Sequence, residues 1–323
     1  MSLNRLINCF RYIFQYTVAI SFSILFIQCI NHSEAYSQKS PVNIIDHNCT
    51  DIHKIPKHWI DSAKAKLNIR YARASHGSQL TSGGMRVLTN FSDEYSNLYS
   101  FSPNGKDGSL KLVEFREDLQ HQNADWVRIT EQYLNTNPKC NVVMWAWCKI
   151  YGMDVDKYIA DMEYLISKYG NANENRSAVT FIFMTAHTWP WGEKGKWVYE
   201  ANRKIRKHCE YNDRWLYDFY DIECYNPDGN YFGDGSNNGE YTGKNRLRWD
   251  SSYDKGDTRG NWGIEWMKKN PDSELTLLAG DNICVSCAHS EGEGKDDNSR
   301  LQCVLKGNAA WWLWARLAGW MPD

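Results

Sequence analysis

Two nearly continuous apolar runs constrain the fold more than any other feature of this chain. Residues 141–147 and 178–184 each have the length of one strand and lack the polar alternation of a half-buried strand. Strands of this kind are buried on both faces, as in parallel sheets covered by helices. Each run is followed by a segment with apolar residues at helical spacing, at 154–168 and 197–209. The alternation predicts an α/β fold with a mostly parallel central sheet.

Further segments extend this pattern over most of the chain. Strands are predicted at 67–72, 109–115 and 214–219, and helices from residue 123 and over 301–320. Because neither an internal repeat nor a linker divides the sequence, the mature chain is predicted to form a single domain, residues 36–323.

One segment breaks the alternation of strands and helices. Residues 222–261 are rich in Gly, Asn and Asp and show little periodicity. A stretch of this length and composition inside a domain is typical of a binding or active-site loop. We therefore expect a long excursion of the chain near the functional site.

The first 35 residues have the layout of a secretory signal peptide. Arg5 and Arg11 precede an apolar run at 17–27, and small residues at Ser33 and Ala35 fit a cleavage site. The run is shorter than the about 20 residues of a membrane span, although an uncleaved anchor stays open. We expect a secreted, periplasmic or cell-surface protein without stable membrane insertion once residues 1–35 are removed.

The charge balance argues against a nucleic-acid partner. The chain has 37 Lys and Arg against 39 Asp and Glu, a formal net charge of -2, so it lacks a basic field that neutralises phosphates. The excess of aromatic residues, with 15 Trp and 19 Tyr, suggests a surface that stacks on flat or sugar-like ligands, although we expect many of these side chains simply to fill the core. The expected partner is a small molecule or a glycan.

Cysteine usage favours an exported, oxidised protein. Removal of the signal leaves eight of the ten cysteines, and this even number predicts that most are paired in disulfides. Alternatively, Cys284 and Cys287, with His289 and Cys303 nearby, hold half the ligand set of a zinc site. Oxygen ligands at alternating positions of 226–234 resemble a calcium loop, but the same residues form turns. Neither pattern is complete, so no metal or other cofactor is predicted.

Polar side chains follow several predicted strands, at the sheet edge where open α/β proteins bind ligands. Ser75 follows the first of these strands and precedes a helix, whose N-terminus favours a developing negative charge. His289 lies in a late loop before the final helix, from which it could take the proton of a serine nucleophile. The alternatives are that Ser75 caps the helix and that His289 makes a structural hydrogen bond.

Five stretches of the sequence together resemble a known family. They are residues 75–79, 142–148, 216–223, 287–290 and 306–312, which are spread over most of the mature chain. The order of strand, Ser, helix and late His resembles that of the SGNH/GDSL hydrolases, and more specifically a divergent group of exported bacterial proteins with that expected fold. The resemblance implies a three-layer, flavodoxin-like sandwich and a serine esterase that acts on acylated carbohydrate or a related polymer.

The resemblance also implies roles for individual residues. Ser75 matches the nucleophile and His289 the general base. The chain departs from the family at three motifs. Arg73-Ala74-Ser75 stands where the family has Gly-Asp-Ser, so that only the serine is kept. Cys148 stands in place of the oxyanion-hole Asn, and Ser286 in place of the Asp before the catalytic His.

Other polar residues could take over the missing functions. The candidates for oxyanion donors or orienting groups are His76, Gln79, His187 and Asp221, with Glu223 as a further orienting group. Because a fold does not determine a function, two alternatives remain. One is a non-catalytic carbohydrate-binding protein with the same fold, and the other is a disulfide-rich surface protein with a structural role.

Overall fold

The computed structural model describes residues 43–120, 125–190, 192–233, 246–255, 258–280, 284–287 and 300–322. From Asn43 onward the chain forms one compact unit. The predicted signal peptide and His289 both lie outside the described residues. Within the described ranges, no helix combines the length and the apolar character that a membrane span requires.

A seven-stranded parallel sheet lies at the centre of the structure. Its strands are β1 (Ile44–Ile45), β2 (Asn68–Ala72), β3 (Phe101–Ser102), β4 (Leu110–Phe115), β5 (Val142–Trp145), β6 (Thr180–Met184) and β7 (Leu216–Tyr217). They are ordered β1–β7–β6–β5–β2–β4–β3, and each neighbouring pair is parallel. The predicted α/β fold with a mostly parallel sheet is therefore confirmed. The inner order β4–β2–β5–β6–β7 is that of a doubly wound sheet.

Helices cover both faces of this sheet. They are α1 (Lys57–Lys66), α2 (Ser78–Leu80), α3 (Arg86–Phe91), α4 (Asp93–Tyr99), α5 (Trp126–Thr136), α6 (Val155–Tyr169), α7 (Glu193–Asn212), α8 (Phe219–Cys224), α9 (Trp262–Lys269), α10 (Glu274–Gly280) and α11 (Leu301–Leu317). Side chains alternate along β5, so Val142 and Met144 pack with α1, α3 and α11, while Val143 and Trp145 pack with α5, α6 and α7. The sheet is thus enclosed between two helical layers.

Helix α11 is buried along almost its whole length and confirms the helix predicted over 301–320. It crosses a helical run in which a π turn, Thr81–Met85, joins α2 to α3. The two backbones touch at the crossing, because a Cβ atom added to Gly84 would lie 2.4 Å from the backbone nitrogen of Gly307. Glycine is required there for the close approach, which brings α11 under the end of β2.

Two segments differ from their sequence predictions. The strand predicted over 214–219 is limited to β7, because the carboxylate of Asp218 caps α8 by accepting from the Asp221 N–H. The excursion predicted over 222–261 is not loop throughout. It includes a small antiparallel sheet of β8 (Arg246–Leu247), β9 (Ser252–Lys255) and β10 (Thr258–Asn261).

The prediction that most cysteines are paired is wrong. Within the described ranges one disulfide is present, Cys287–Cys303. Four other cysteines are thiols: Cys49, Cys140, Cys148 and Cys209. All of these except Cys148 are buried among apolar side chains, where cysteine behaves as a small hydrophobic residue. Burial raises the pKa of Cys140 to about 11 and that of Cys49 to about 12, which keeps both thiols protonated and unreactive.

Candidate functional site

The candidate site lies where the order of the sheet reverses. From β2 the chain passes to β3 and then β4, which lie on one side of β2, whereas the next strand, β5, pairs with β2 on the other side. Loops that leave neighbouring strands in opposite directions open a crevice at the carboxyl ends of those strands. Ser75 follows β2 and Cys148 follows β5, and their Oγ and Sγ atoms are 3.1 Å apart.

The turn that presents Ser75 is held from both sides. The Ser78 N–H donates to the Ala74 carbonyl oxygen at 3.1 Å, and the Tyr71 hydroxyl donates to the Gly77 carbonyl oxygen at 2.9 Å. A Cβ atom on Gly77 would lie 2.6 Å from the Cβ of Ala146, so the turn packs directly on the end of β5. This contact explains why glycine follows the Ser-His pair.

The Ser78 hydroxyl is engaged elsewhere. It donates to the Ser75 carbonyl oxygen at 2.6 Å and lies 2.7 Å from the hydroxyl oxygen of Ser286. Of the two serines in this turn, Ser78 therefore has a structural role. Ser75 is partly exposed at the crevice.

Two histidines complete what we call the Ser75 cluster: Ser75, His76, Cys148 and His187. The Nδ1 atom of His76 lies 3.7 Å from the Cys148 Sγ. The His76 ring stacks on that of His187 with centroids 3.5 Å apart and planes 6° apart. The structure thus brings together three residues that the sequence analysis singled out, around a cysteine at the position of the family's oxyanion Asn.

Both ring nitrogens of His187 face carbonyl oxygens. Nε2 lies 2.8 Å from the oxygen of Cys148, and Nδ1 lies 2.5 Å from that of Thr188. Burial lowers the pKa of His187, an effect that the charge of Glu223 opposes. The neutral ring has one N–H, so it donates to one carbonyl at a time. His187 therefore bonds to one of the two loops at a time and has no second donor for an oxyanion in this arrangement.

Aromatic side chains continue the stack toward solvent. Trp249 lies 5.5 Å from His187 and 4.6 Å from Trp189, measured between ring centroids. Both indoles are partly exposed, whereas His76 and His187 are buried. The site therefore has a polar interior and an aromatic wall, which is typical of pockets for small organic ligands.

Gln79 is fully buried behind Ser75, and its hydrogen-bonding capacity is occupied. Its Nε2 donates to Asp250 Oδ1 at 2.8 Å and to the Ser286 carbonyl oxygen at 2.7 Å. Its Oε1 accepts from the Lys306 ammonium at 2.6 Å. Because an amide has two N–H donors, an oxyanion would have to displace an existing bond of Gln79.

The structure places Asp221 in a separate cluster, the Arg206 network: Asp46, His47, Arg206, Asp218 and Asp221. The imidazole Nδ1 of His47 lies 2.5 Å from the Asp221 carboxylate, and the Arg206 guanidinium donates to Asp218 at 2.6 Å and to Asp46 at 3.1 Å. The described contacts of Asp221 are therefore structural, and none joins it to the Ser75 cluster.

Within the described chain, three side chains have the spacing of possible metal ligands: Asp46, His47 and Asp221, whose ligand atoms lie within 4.8 Å of one another. The guanidinium of Arg206 already supplies positive charge to both carboxylates. These residues therefore fit an ion-pair network better than a cation site.

The alternative calcium and zinc patterns are used differently. The Asn226 side-chain oxygen accepts from the Asp228 and Asn230 N–H groups, which is the geometry of an Asx turn. Asp228 Oδ1 accepts from the Trp266 indole at 2.9 Å. At the other pattern, the disulfide removes Cys287 and its partner as thiolate ligands.

Two features in and behind the candidate site escaped the sequence analysis. One is the contact of Cys148 with Ser75, which depends on the pairing of β2 with β5. The other is the fully buried Lys306, which stands as a single charge in the middle of a long apolar helical pattern. That isolated charge was a usable signal, because a lysine is almost never fully buried unless it is paired.

A scan against models of protein families finds no match for this chain, and a search of curated proteins also finds none.

Proposed function

We propose that the protein is a serine hydrolase of the SGNH type that cleaves acyl esters, with Ser75 as its nucleophile. The observation that carries this proposal is the place of the Ser75 hydroxyl: partly exposed, in the turn at the point where the sheet order reverses, 3.1 Å from the sulfur of Cys148. A flavodoxin-like, three-layer arrangement, in keeping with the sheet order and its two helical layers, supports the assignment to the SGNH type.

His289 is the proposed general base. Ser286, three residues earlier, contacts Ser78 and Gln79 at the start of the helical run that follows Ser75. The role of His289 itself rests on the resemblance of residues 287–290 to the family. His289 takes the Ser75 proton as Oγ attacks the ester carbonyl and returns it to the departing alkoxide. Water then releases the acyl group by the same steps.

Oxyanion stabilisation is the weakest part of this machinery. The helical run that begins at Ser78 points its N-terminus toward the Ser75 turn, which favours negative charge there. Cys148 occupies the position of the family's Asn, and a thiol is a poor hydrogen-bond donor. Loss of one oxyanion donor typically lowers the rate by about 10²–10³-fold. We therefore expect slow turnover.

Acylated carbohydrate is the proposed substrate class. The partly exposed indoles of Trp189 and Trp249 lie beside the Ser75 cluster at a tilt of 58°, and such a wall packs on the apolar face of a sugar ring. The signal-like N-terminus supports a secreted, periplasmic or cell-surface location, where glycan polymers are accessible.

The test is an ester panel on the purified protein. Wild type should hydrolyse short-chain acyl esters and acetylated oligosaccharides, and Ser75→Ala should lower kcat by about 10³-fold or more. Ser167→Ala is a matched control, because it removes an equivalent hydroxyl from an exposed position on α6. Activity that survives in Ser75→Ala would refute the nucleophile assignment.

A non-catalytic glycan-binding protein is the second candidate function, and Cys148 at the oxyanion position is the observation that favours it. In that case wild type binds oligosaccharides without releasing acetate. Trp249→Ala then abolishes binding measured by calorimetry, whereas Ser75→Ala leaves it intact. Acetate release by wild type but not by Ser75→Ala excludes this candidate.

A further inference from the structure

The ammonium of Lys306 is fully buried at the centre of a polar cluster that we call the Lys306 hub: Lys306, Gln79, Glu223 and Gln302. Its three N–H groups match three acceptors, Glu223 Oε1 at 2.6 Å, Gln79 Oε1 at 2.6 Å, and Gln302 Oε1. All four side chains are fully buried. All three donors of the ammonium are therefore used within the hub.

Two of the three acceptors, Glu223 and Gln79, are also hydrogen-bonded to segments that frame the Ser75 cluster. The second oxygen of Glu223 accepts from the Thr188 backbone N–H at 2.6 Å, between His187 and Trp189. Through this bond the hub holds the loop after β6, which carries one histidine of the cluster and one indole of the aromatic wall.

Gln79 connects the hub to two further segments. Its amide group donates to Asp250, the neighbour of Trp249, and to the carbonyl oxygen of Ser286. Gln79 itself lies in the first turn of the helical run that follows Ser75. One ammonium thus connects the Ser75 turn, both sides of the aromatic wall and the segment that precedes His289.

Stability alone does not account for this arrangement. Replacing a buried ion pair by apolar side chains of similar volume is often neutral or stabilising, because the charges lose their hydration. Burial lowers the pKa of Lys306, whereas the charges of Glu223 and Asp250 act in the opposite direction. A costly buried charge that is connected to four segments around the site is better explained by the geometry that it imposes.

We propose that Lys306 is a positioning residue, which sets the relative placement of the loops around Ser75 through Glu223 and Gln79. It has no direct part in the chemistry, because its side chain is fully buried and its three N–H groups are occupied. The consequence for turnover rests on the proposed function, whereas the consequence for loop geometry does not.

The experiment separates positioning from stability with two substitutions. Lys306→Met removes the ammonium and leaves the Glu223 carboxylate buried without its cation, so the melting temperature should fall. Adding Glu223→Gln removes that stranded charge and should restore much of the melting temperature. It does not restore a donor to Gln79. We therefore expect kcat to stay about 10–100-fold below wild type in both variants, since small displacements of reacting groups cost this much.

A second readout does not require any esterase activity. Cys148 is partly exposed beside Ser75, so its alkylation rate with iodoacetamide, followed by peptide mapping, reports the closure of the surrounding loops. We expect a several-fold faster rate in Lys306→Met and in the double variant. Gln79→Met is a milder substitution, because it removes the bond of Lys306 to Gln79 and keeps the Lys306–Glu223 pair. The Cys148 alkylation rate should rise in this variant as well.

Glu163→Gln is the matched control, because it weakens a partly buried ion-pair cluster with Arg214 and His208. It should lower the melting temperature without changing kcat or the alkylation of Cys148. The proposal is overturned if Cys148 reacts at the wild-type rate in folded Lys306→Met and Gln79→Met. It is also overturned if kcat recovers together with the melting temperature in the double variant. If wild type has no esterase activity, the proposed function fails. The alkylation rates of Cys148 then still test whether Lys306 positions the loops around Ser75.

Discussion

The Ser75 cluster and the Arg206 network both follow strands of the same parallel sheet, yet their contacts differ in kind. Ser75 and Cys148 follow the adjacent β2 and β5, where the connections diverge. Asp46 and Asp218 follow the adjacent β1 and β7, at the edge of the sheet. A position at the carboxyl end of a strand is therefore shared by both groups and does not by itself distinguish a functional site.

The contacts within each group make the distinction. In the Arg206 network, charged groups neutralise one another over 2.5–3.1 Å, between His47 and Asp221 and between Arg206 and two carboxylates. In the Ser75 cluster, an oxygen and a nitrogen contact the sulfur of Cys148 at 3.1 and 3.7 Å. Sulfur forms weak hydrogen bonds, which a substrate can replace at little cost. The contacts of the Arg206 network are those of a cluster that stabilises the fold, whereas the Ser75 cluster is the one that we propose binds and reacts.

Opening the disulfide should have the largest effect, and it should act on the Ser75 side. Cys287–Cys303 joins positions 16 residues apart and fixes the segment of Ser286 to α11. Reduction should lower the free energy of unfolding by about 3 kcal/mol. It should also lower kcat, because the contacts of Ser286 with Ser78 and Gln79 loosen. Urea unfolding and ester turnover, each with and without reductant, measure both effects.

The double variant Cys287→Ser/Cys303→Ser is the control for reduction, since reductant should change nothing further in it. Equal stability and turnover before and after reduction of the wild-type bridge would show that the site does not depend on it.

Arg206→Met should have a smaller effect, restricted to stability. The substitution leaves Asp46 and Asp218 without their cation. Because the cluster is partly buried, the cost should lie between those of an exposed and a buried ion pair, at about 1–3 kcal/mol of unfolding free energy. Ester turnover should stay at the wild-type level. A parallel fall in kcat would mean that the two groups are coupled, and the comparison would break down.

The smallest expected effect is an opposite pH dependence of stability in the two regions. Burial lowers the pKa of His47, but the hydrogen bond and charge of Asp221 outweigh it and raise the pKa above 6.5. His47 therefore stabilises the fold below pH 6.5, and this contribution is lost as the pH rises through the raised pKa. Burial lowers the pKa of His187, so its contribution improves as the pH rises toward 6.5.

Melting temperatures of His47→Gln and His187→Gln between pH 5 and 8 test these signs. Relative to wild type, His47→Gln should lose most at low pH, and His187→Gln should be least harmful there. Profiles of the same sign for both variants would contradict the assignment of one charged and one neutral histidine.

Much of the fold could be predicted because its strands are buried on both faces. The runs at 141–147 and 178–184 became β5 and β6, and the helical spacing over 301–320 became α11. The order of the strands could not be derived in this way, since uniformly apolar strands carry no pattern that identifies their neighbours. The two-residue edge strand β1 is too short to give any periodic signal.

As with the fold, only some features of the candidate site could be predicted from the sequence. Ser75 could be located because a serine that directly follows a strand has a defined place in an α/β sheet. Its contact with Cys148 depends on the strand order and was therefore out of reach. Asp221 was one candidate for orienting the catalytic base, and this stays a prediction because His289 lies outside the described residues. The described contacts of Asp221 are with His47 and Arg206, in the first turn of α8 after the cap at Asp218.

The contact of Gly84 with Gly307 also constrains when the protein can fold. Residues separated by more than two hundred positions meet backbone to backbone there, next to Lys306 and its bond to Gln79. During synthesis, the sheet strands emerge from the ribosome long before α11 has been translated. Until then the apolar face beneath β2 and the polar end of Gln79 have no partner from α11. We therefore expect the framework of the site to close late, when α11 docks, and slow synthesis of α11 to prolong the period in which the nascent sheet is exposed to aggregation.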